Sequence, residues 1–212
     1  MTTLGERAPT AAVAHPRALA AEQPKGRPTG EWGMIFFVAT EATLFACLLV
    51  SYFYVRFTIG GDWPPGDIEK PKLMKPLIMT GLLLASSVPL IWGDRAIRRG
   101  NVRQLQVAVP ISIVLGLLFL YRQYSEYAEK LKEFTWTTNA YGSFFYVITG
   151  FHGFHVITGL IMLTYMWVAA LMGKFSGGRH ERVRMVSIYW HFVDVVWIFI
   201  LSALYLSPHI GG

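Results

Sequence analysis

At 212 residues, 53% of them hydrophobic and only 15% charged, the chain lacks the polar surface of a soluble domain, in which about a quarter of residues are charged. Aromatics reach 15%, with 7 Trp and 10 Tyr, and mean hydropathy is +0.41; such rings gather at membrane–water boundaries. The net charge of +6 would point to nucleic acid in a soluble protein. Here the basic residues punctuate apolar runs, which makes them topology signals and leaves no nucleic-acid partner to expect. The one cysteine, Cys47, lies in an apolar run and excludes an intrachain disulfide framework.

Residues 1–30 are rich in Ala and Pro, carry Arg7, Arg17, Lys25 and Arg27, and show no apolar period. They read as a disordered tail ahead of a membrane domain over 31–212. Without an apolar central run the tail is not a secretory signal peptide. From Trp32 onward five long apolar segments follow, at about 32–55, 73–93, 105–124, 139–172 and 185–206. A hydrocarbon core of roughly 30 Å takes about 20 helical residues, and each segment reaches that length. The sequence thus predicts an all-α integral membrane bundle of five transmembrane helices. The fourth segment is the longest, since no charge occurs between Glu133 and Lys174, and it predicts a tilted or protruding helix. Pro89 and Pro110 fall within or at the start of the second and third helices, where membranes tolerate kinks. No internal repeat is apparent.

Connections supply orientation. With the N-terminus inside, the inner segments hold twelve Lys and Arg: the four of the tail, then Arg95, Arg98, Arg99, Arg103, Lys174, Arg179, Arg182 and Arg184. The outer segments hold seven: Arg56, Lys70, Lys72, Lys75, Arg122, Lys130 and Lys132. The bias predicts an N-terminus inside and a C-terminus outside. The first outer loop, 60–66, is Gly/Pro turn chemistry. The second, around Glu126, Glu129, Lys130, Lys132 and Glu133, reads as a helix continuing into solvent with i,i+3 and i,i+4 charge pairs.

Ionisable groups at membrane depth are costly, and each is a candidate functional residue for that reason. There are five: Glu41 in the first helix, His152 and His155 in the fourth, His191 and Asp194 in the fifth. At 1.5 Å per residue all five fall within roughly 10 Å of mid-depth, close enough for one shared polar cluster. His152 and His155 are i,i+3 neighbours; Ser187, His191 and Asp194 follow one another along a face of the fifth helix. Two readings stand: a hydrogen-bonded clamp between helices, or a proton-linked or lipid-headgroup-linked role for Glu41. A haem site is disfavoured because two His at i,i+3 project the same way and cannot supply both axial faces. No phosphate loop, nucleophile elbow or CxxC occurs, so no catalytic residue is expected. Small residues at Gly81/Ala85 and at Gly150, Gly153 and Gly159 mark places for close helix approach.

Three strings go beyond generic membrane statistics: GMIFFVATEATLF (33–45), YGSFFYVITGFHGFHVITG (141–159) and YWHFVDVVWIF (189–199). WPPG (63–66), TGLLLASS (80–87) and SEY (125–127) fall between them in order. In order and spacing the chain resembles subunit III of the haem–copper terminal oxidases, the cytochrome c oxidase type in particular, over nearly all of 32–207. Larger members of that family have seven helices, and this chain resembles the shorter five-helix bacterial form. The resemblance implies an accessory subunit without a redox centre, lying in a bacterial cytoplasmic (inner) membrane. Its partners would be subunit I, which holds haem and copper, and the other oxidase subunits. It also implies bound phospholipid and support of proton uptake. Glu41 matches the family's intramembrane glutamate, and His152, His155, His191 and Asp194 match motif positions in the last two helices. Quinol oxidases and a protein accompanying some nitric oxide reductases carry similar five-helix chains and remain alternatives. A small transporter is the rival from another class, but the inverted repeats and broken helices of that class are not evident.

Overall fold

The computed structural model describes residues 28–60, 63–65, 68, 70–175 and 181–210. Most of the expected tail (1–27), parts of the first outer loop and Arg179 lie outside the described residues. Thr29 and Gly30, assigned to the tail from sequence, already belong to the first helix.

Five helices follow in order: α1 (Thr29–Ile59), α2 (Met74–Arg98), α3 (Val102–Glu133), α4 (Ala140–Leu171) and α5 (Glu181–Ile200). The last continues through a π-helical turn, Leu201–Leu206, and a 3-10 turn, Ser207–His209. All five are long and apolar enough to cross a membrane, and there is no strand among the described residues. The fourth segment is not exceptional in length: α1, α3 and α4 have 31, 32 and 32 residues. At 1.5 Å per residue each spans about 47 Å, enough to cross the hydrocarbon and reach through both headgroup layers. Their ends account for the extra length. α2 runs on through Arg95 and Arg98, and α3 through Lys130 and Glu133, which pair at 2.6 Å.

Local signals set two of the starts. Asn101 caps α3 by accepting from the Gln104 amide at 3.2 Å, and Asn139 caps α4 through the Gly142 amide at 2.9 Å; each satisfies one amide that the first turn leaves free. Gly100 holds φ +78° after α2, a left-handed value that lets the chain reverse into α3.

α5 is the hub, packed against α1, α2 and α4, while α2–α3 and α3–α4 close the ring behind it. Trp190 shows why. A Cβ at Gly159 of α4 would lie 2.7 Å from its ring, and one at Gly116 of α3 would lie 2.9 Å away. Its Nε1 donates to Ser86 Oγ of α2 at 2.9 Å. One indole therefore joins four helices, and glycine is needed where two of them press on its faces. Of the small residues expected to bring helices together, Gly159 does so. A Cβ at Gly81 or Gly153 would meet nothing within 4 Å, and at Gly150 only ordinary contact.

Candidate functional site

The five membrane-depth residues do not form one cluster. Glu41, His155 and Asp194 each sit near the middle residue of their helices, but they are divided between two pairs with a fifth residue alone.

The first pair joins α1 to α4. His155 Nε2 lies 3.1 Å from Glu41 Oε2, and its Nδ1 lies 2.8 Å from the Phe151 carbonyl one turn back along α4. A carbonyl oxygen only accepts, so Nδ1 carries the ring proton. A bond across the remaining gap needs one more proton. It sits either on the carboxyl, donating to Nε2, or on Nε2, donating to a carboxylate. Both arrangements are neutral overall, so the pair can hold one exchangeable proton at membrane depth without a net buried charge. Phe45, Tyr189 and Phe192 wall the imidazole, with ring centroids at 5.1, 6.5 and 6.3 Å. Tyr189 also donates its hydroxyl to the His155 carbonyl at 3.2 Å. The carboxyl side is more open, Glu41 being 23% exposed against 8% for His155.

The second pair joins α5 to α2. Ser87 Oγ donates to Asp194 Oδ2, and His191 Nδ1 stands 3.5 Å from the same oxygen. Asp194 is buried and its Oδ1 has no hydrogen-bond partner among the described residues. His191 is 39% exposed, on the surface strip of α5 that continues through Val195 and Ile198.

His152 belongs to neither pair. It is fully buried, with centroids at 5.1 Å to Trp197, 5.7 Å to Phe119 and 6.5 Å to Phe45, and neither ring nitrogen has a partner among the described residues. The i,i+3 spacing placed His152 and His155 together, but His155 turns to α1 while His152 faces α3 and α5. Glu41–His155 and Ser87–Asp194 thus make hydrogen bonds between helices, and His152 makes none among the described residues.

Sequence reasoning missed the serines and the helix-end charges. Ser86 and Ser87 stood out only as part of the TGLLLASS string; two adjacent serines in an apolar run are the signal that α2 answers polar groups opposite. Glu31 sits at the edge of the apolar segment, where a charge carries no depth signal. It is buried, and Arg184 Nε meets it at 3.1 Å, tying α1 to α5. No group of three or more His, Cys, Asp or Glu side chains converges to hold a metal ion among the described residues.

Five membrane-length helices carrying titratable pairs at mid-depth define an integral membrane protein of the all-α class. Comparison with known proteins makes the class specific. The family model described as cytochrome c oxidase subunit III matches residues 24–208. Cytochrome c oxidase subunit 3 of Homo sapiens is 38% identical over 179 residues, covering 82% of this chain and 68% of that protein. The Oryctolagus cuniculus protein of the same name is 37% identical with the same coverage, and that of Lemur catta is 37% identical over 82% of this chain and 65% of its own length. The chain belongs to the cytochrome c oxidase subunit III family.

Proposed function

We propose that the chain works as the non-catalytic subunit III of a respiratory haem–copper oxidase in a bacterial cytoplasmic (inner) membrane. In this reading it braces the catalytic subunit I, which holds haem and copper, supports proton uptake and binds phospholipid. Family membership over 24–208 carries the accessory-subunit reading. The Glu41–His155 pair supports the proton-linked part of it, because the Nδ1 bond to Phe151 leaves the pair able to hold and exchange one proton.

The N-terminus is assigned inside and the C-terminus outside. Arg95, Arg98, Arg99, Arg103, Lys174, Arg182 and Arg184 gather at one end of the bundle, the end from which α1 starts. Cytoplasmic connections carry the excess of such residues.

Gentle affinity purification from native membranes, read by an optical haem spectrum and identification of copurifying chains, tests the function. The expected result is haem absorbance in fixed ratio to the chain, together with a larger multi-helix subunit. A colourless chain that purifies alone with its lipids retained would overturn the assignment.

A further inference from the structure

We propose that a pocket between the inner ends of α2 and α5 binds the phosphate of an anionic phospholipid, whose acyl chain lies in the groove below. The inference deepens the lipid-binding part of the function proposed above and rests on that reading for its membrane setting. The pocket has a volume of about 440 Å³, and its charged and polar lining is Asp94, Arg95 and Arg98 from α2 with Arg184, Ser187 and His191 from α5.

The charges do not cancel. Asp94 is committed to Arg98, with Nη2 at 2.7 Å and Nε at 3.2 Å. Arg184 is engaged through Nε by Glu31 of α1. Arg95 has no ion-pair partner among the described residues. The Ser187 hydroxyl, in a residue only 7% exposed, also lacks a partner there. A guanidinium and a hydroxyl donor thus line one space, neither of them hydrogen-bonded among the described residues to the Asp94 Oδ1 that lines it too. A phosphate accepts several charge-assisted hydrogen bonds at once and fits both. Asp94 Oδ1 is buried without a partner among the described residues, but the single carboxylate charge faces the two of Arg95 and Arg98, so the pocket keeps a net positive charge.

The groove favours a lipid over an acidic side chain of a neighbouring subunit. From the pocket toward mid-depth, Ile91 and Val88 of α2 run beside Val195 and Ile198 of α5, all exposed. The Ser87–Asp194 bond closes the floor between the two helices. That is a strip of hydrocarbon-facing surface beneath a basic pocket at headgroup level, the arrangement that takes anionic lipid between spanning helices.

The test uses the assembled complex reconstituted in vesicles. These contain phosphatidylglycerol with a photoreactive diazirine in its acyl chain or, in parallel, the equivalent phosphatidylcholine. Peptides from α2 and α5 are read by mass spectrometry. Phosphatidylglycerol is expected to label them in preference to phosphatidylcholine. Arg95→Gln should lower that labelling about fivefold, the effect of one basic residue on anionic lipid, and it removes no ion pair among the described residues. Arg99→Gln, which takes the same charge from the same helix end but off the pocket, should leave it unchanged. Equal labelling by both lipids, or an equal fall in both variants, would overturn the proposal. Absence of labelling would assign the pocket to a carboxylate of the neighbouring subunit, and loss of labelling to millimolar inorganic phosphate would assign it to a free ion; both overturn it too. The haem spectrum of the same sample reports separately on the accessory-subunit reading, so the two cannot fail unnoticed together.

Discussion

α1 and α5 are held in the bundle by different means. α5 buries both its apolar flanks, with Trp190, Trp197 and Tyr189 fully enclosed by its neighbours. α1 buries only Glu31, Phe45 and Tyr52. What fixes it is a ladder of polar contacts along one stripe: Glu31 to Arg184, Glu41 to His155, Tyr52 to the Trp63 indole at 2.8 Å, and Arg56 to Ser207 Oγ at 2.5 Å. The difference follows from the solvent. Lipid tails are as apolar as Leu, so no hydrophobic drive presses one spanning helix onto another; close packing and hydrogen bonds must do it. α5 uses close packing against glycines. α1, apolar nearly all round, takes its depth and rotation from polar partners.

Removing a packed ring should have the largest effect. Trp190→Ala leaves a cavity where four helices meet and should cost about 3–5 kcal/mol, seen as loss of the chain from membranes or a steep fall in its thermal midpoint in mild detergent. Near-normal stability would mean that α5 is not the hub. Next comes overpacking at the same place. Gly159→Ala should cost about 1–3 kcal/mol, whereas Gly153→Ala, six residues earlier on α4 with open space at its Cβ, should cost almost nothing. Equal behaviour of the two would remove the close α4–α5 approach from the account.

Asp194→Ala leaves the buried Ser87, midway along α2, without its partner, at about 1–3 kcal/mol. Normal accumulation of that variant would show the α2–α5 bond to be dispensable. The smallest effect should come from Glu41→Gln. The amide can donate to His155 Nε2, so accumulation should stay within about 1 kcal/mol of the parent, while the exchangeable proton is lost. A collapse of the chain in that variant would make the pair an obligatory ion pair and α1 far more dependent on it than the ladder implies.

The fold was legible in the sequence to the extent that hydropathy reports it. Five apolar runs stood out because the hydrocarbon core demands them, and Glu41 to Asp194 were singled out because polar groups there are rare. Boundaries were not legible. Arg95, Arg98, Lys130 and Glu133 end the apolar runs but not the helices, since headgroup and water satisfy charges on a helix that simply continues. Pairing was legible only in part. Depth along an axis follows from counting residues, but rotation about that axis does not, so His152 and His155 looked alike although one meets a carboxylate and the other a cage of rings. Gly116 and Glu31 were not legible for a related reason, and Ser87 was so only as one of two adjacent serines. Each is an ordinary residue type whose meaning comes from the helix opposite, Trp190, Arg184 and Asp194 respectively.

The polar ladder and the proton-linked reading both turn on the state of one ring, His155. Nitrogen NMR of imidazole-labelled complex in lipid, with His155 assigned through its substitution, reads that state directly. The account predicts a protonated Nδ1 in the parent and in Glu41→Gln, with the Nε2 signal changing between the two. A neutral ring protonated only at Nε2 in the parent would contradict the account, since the proton would then belong to the imidazole alone and the pair would have none to exchange.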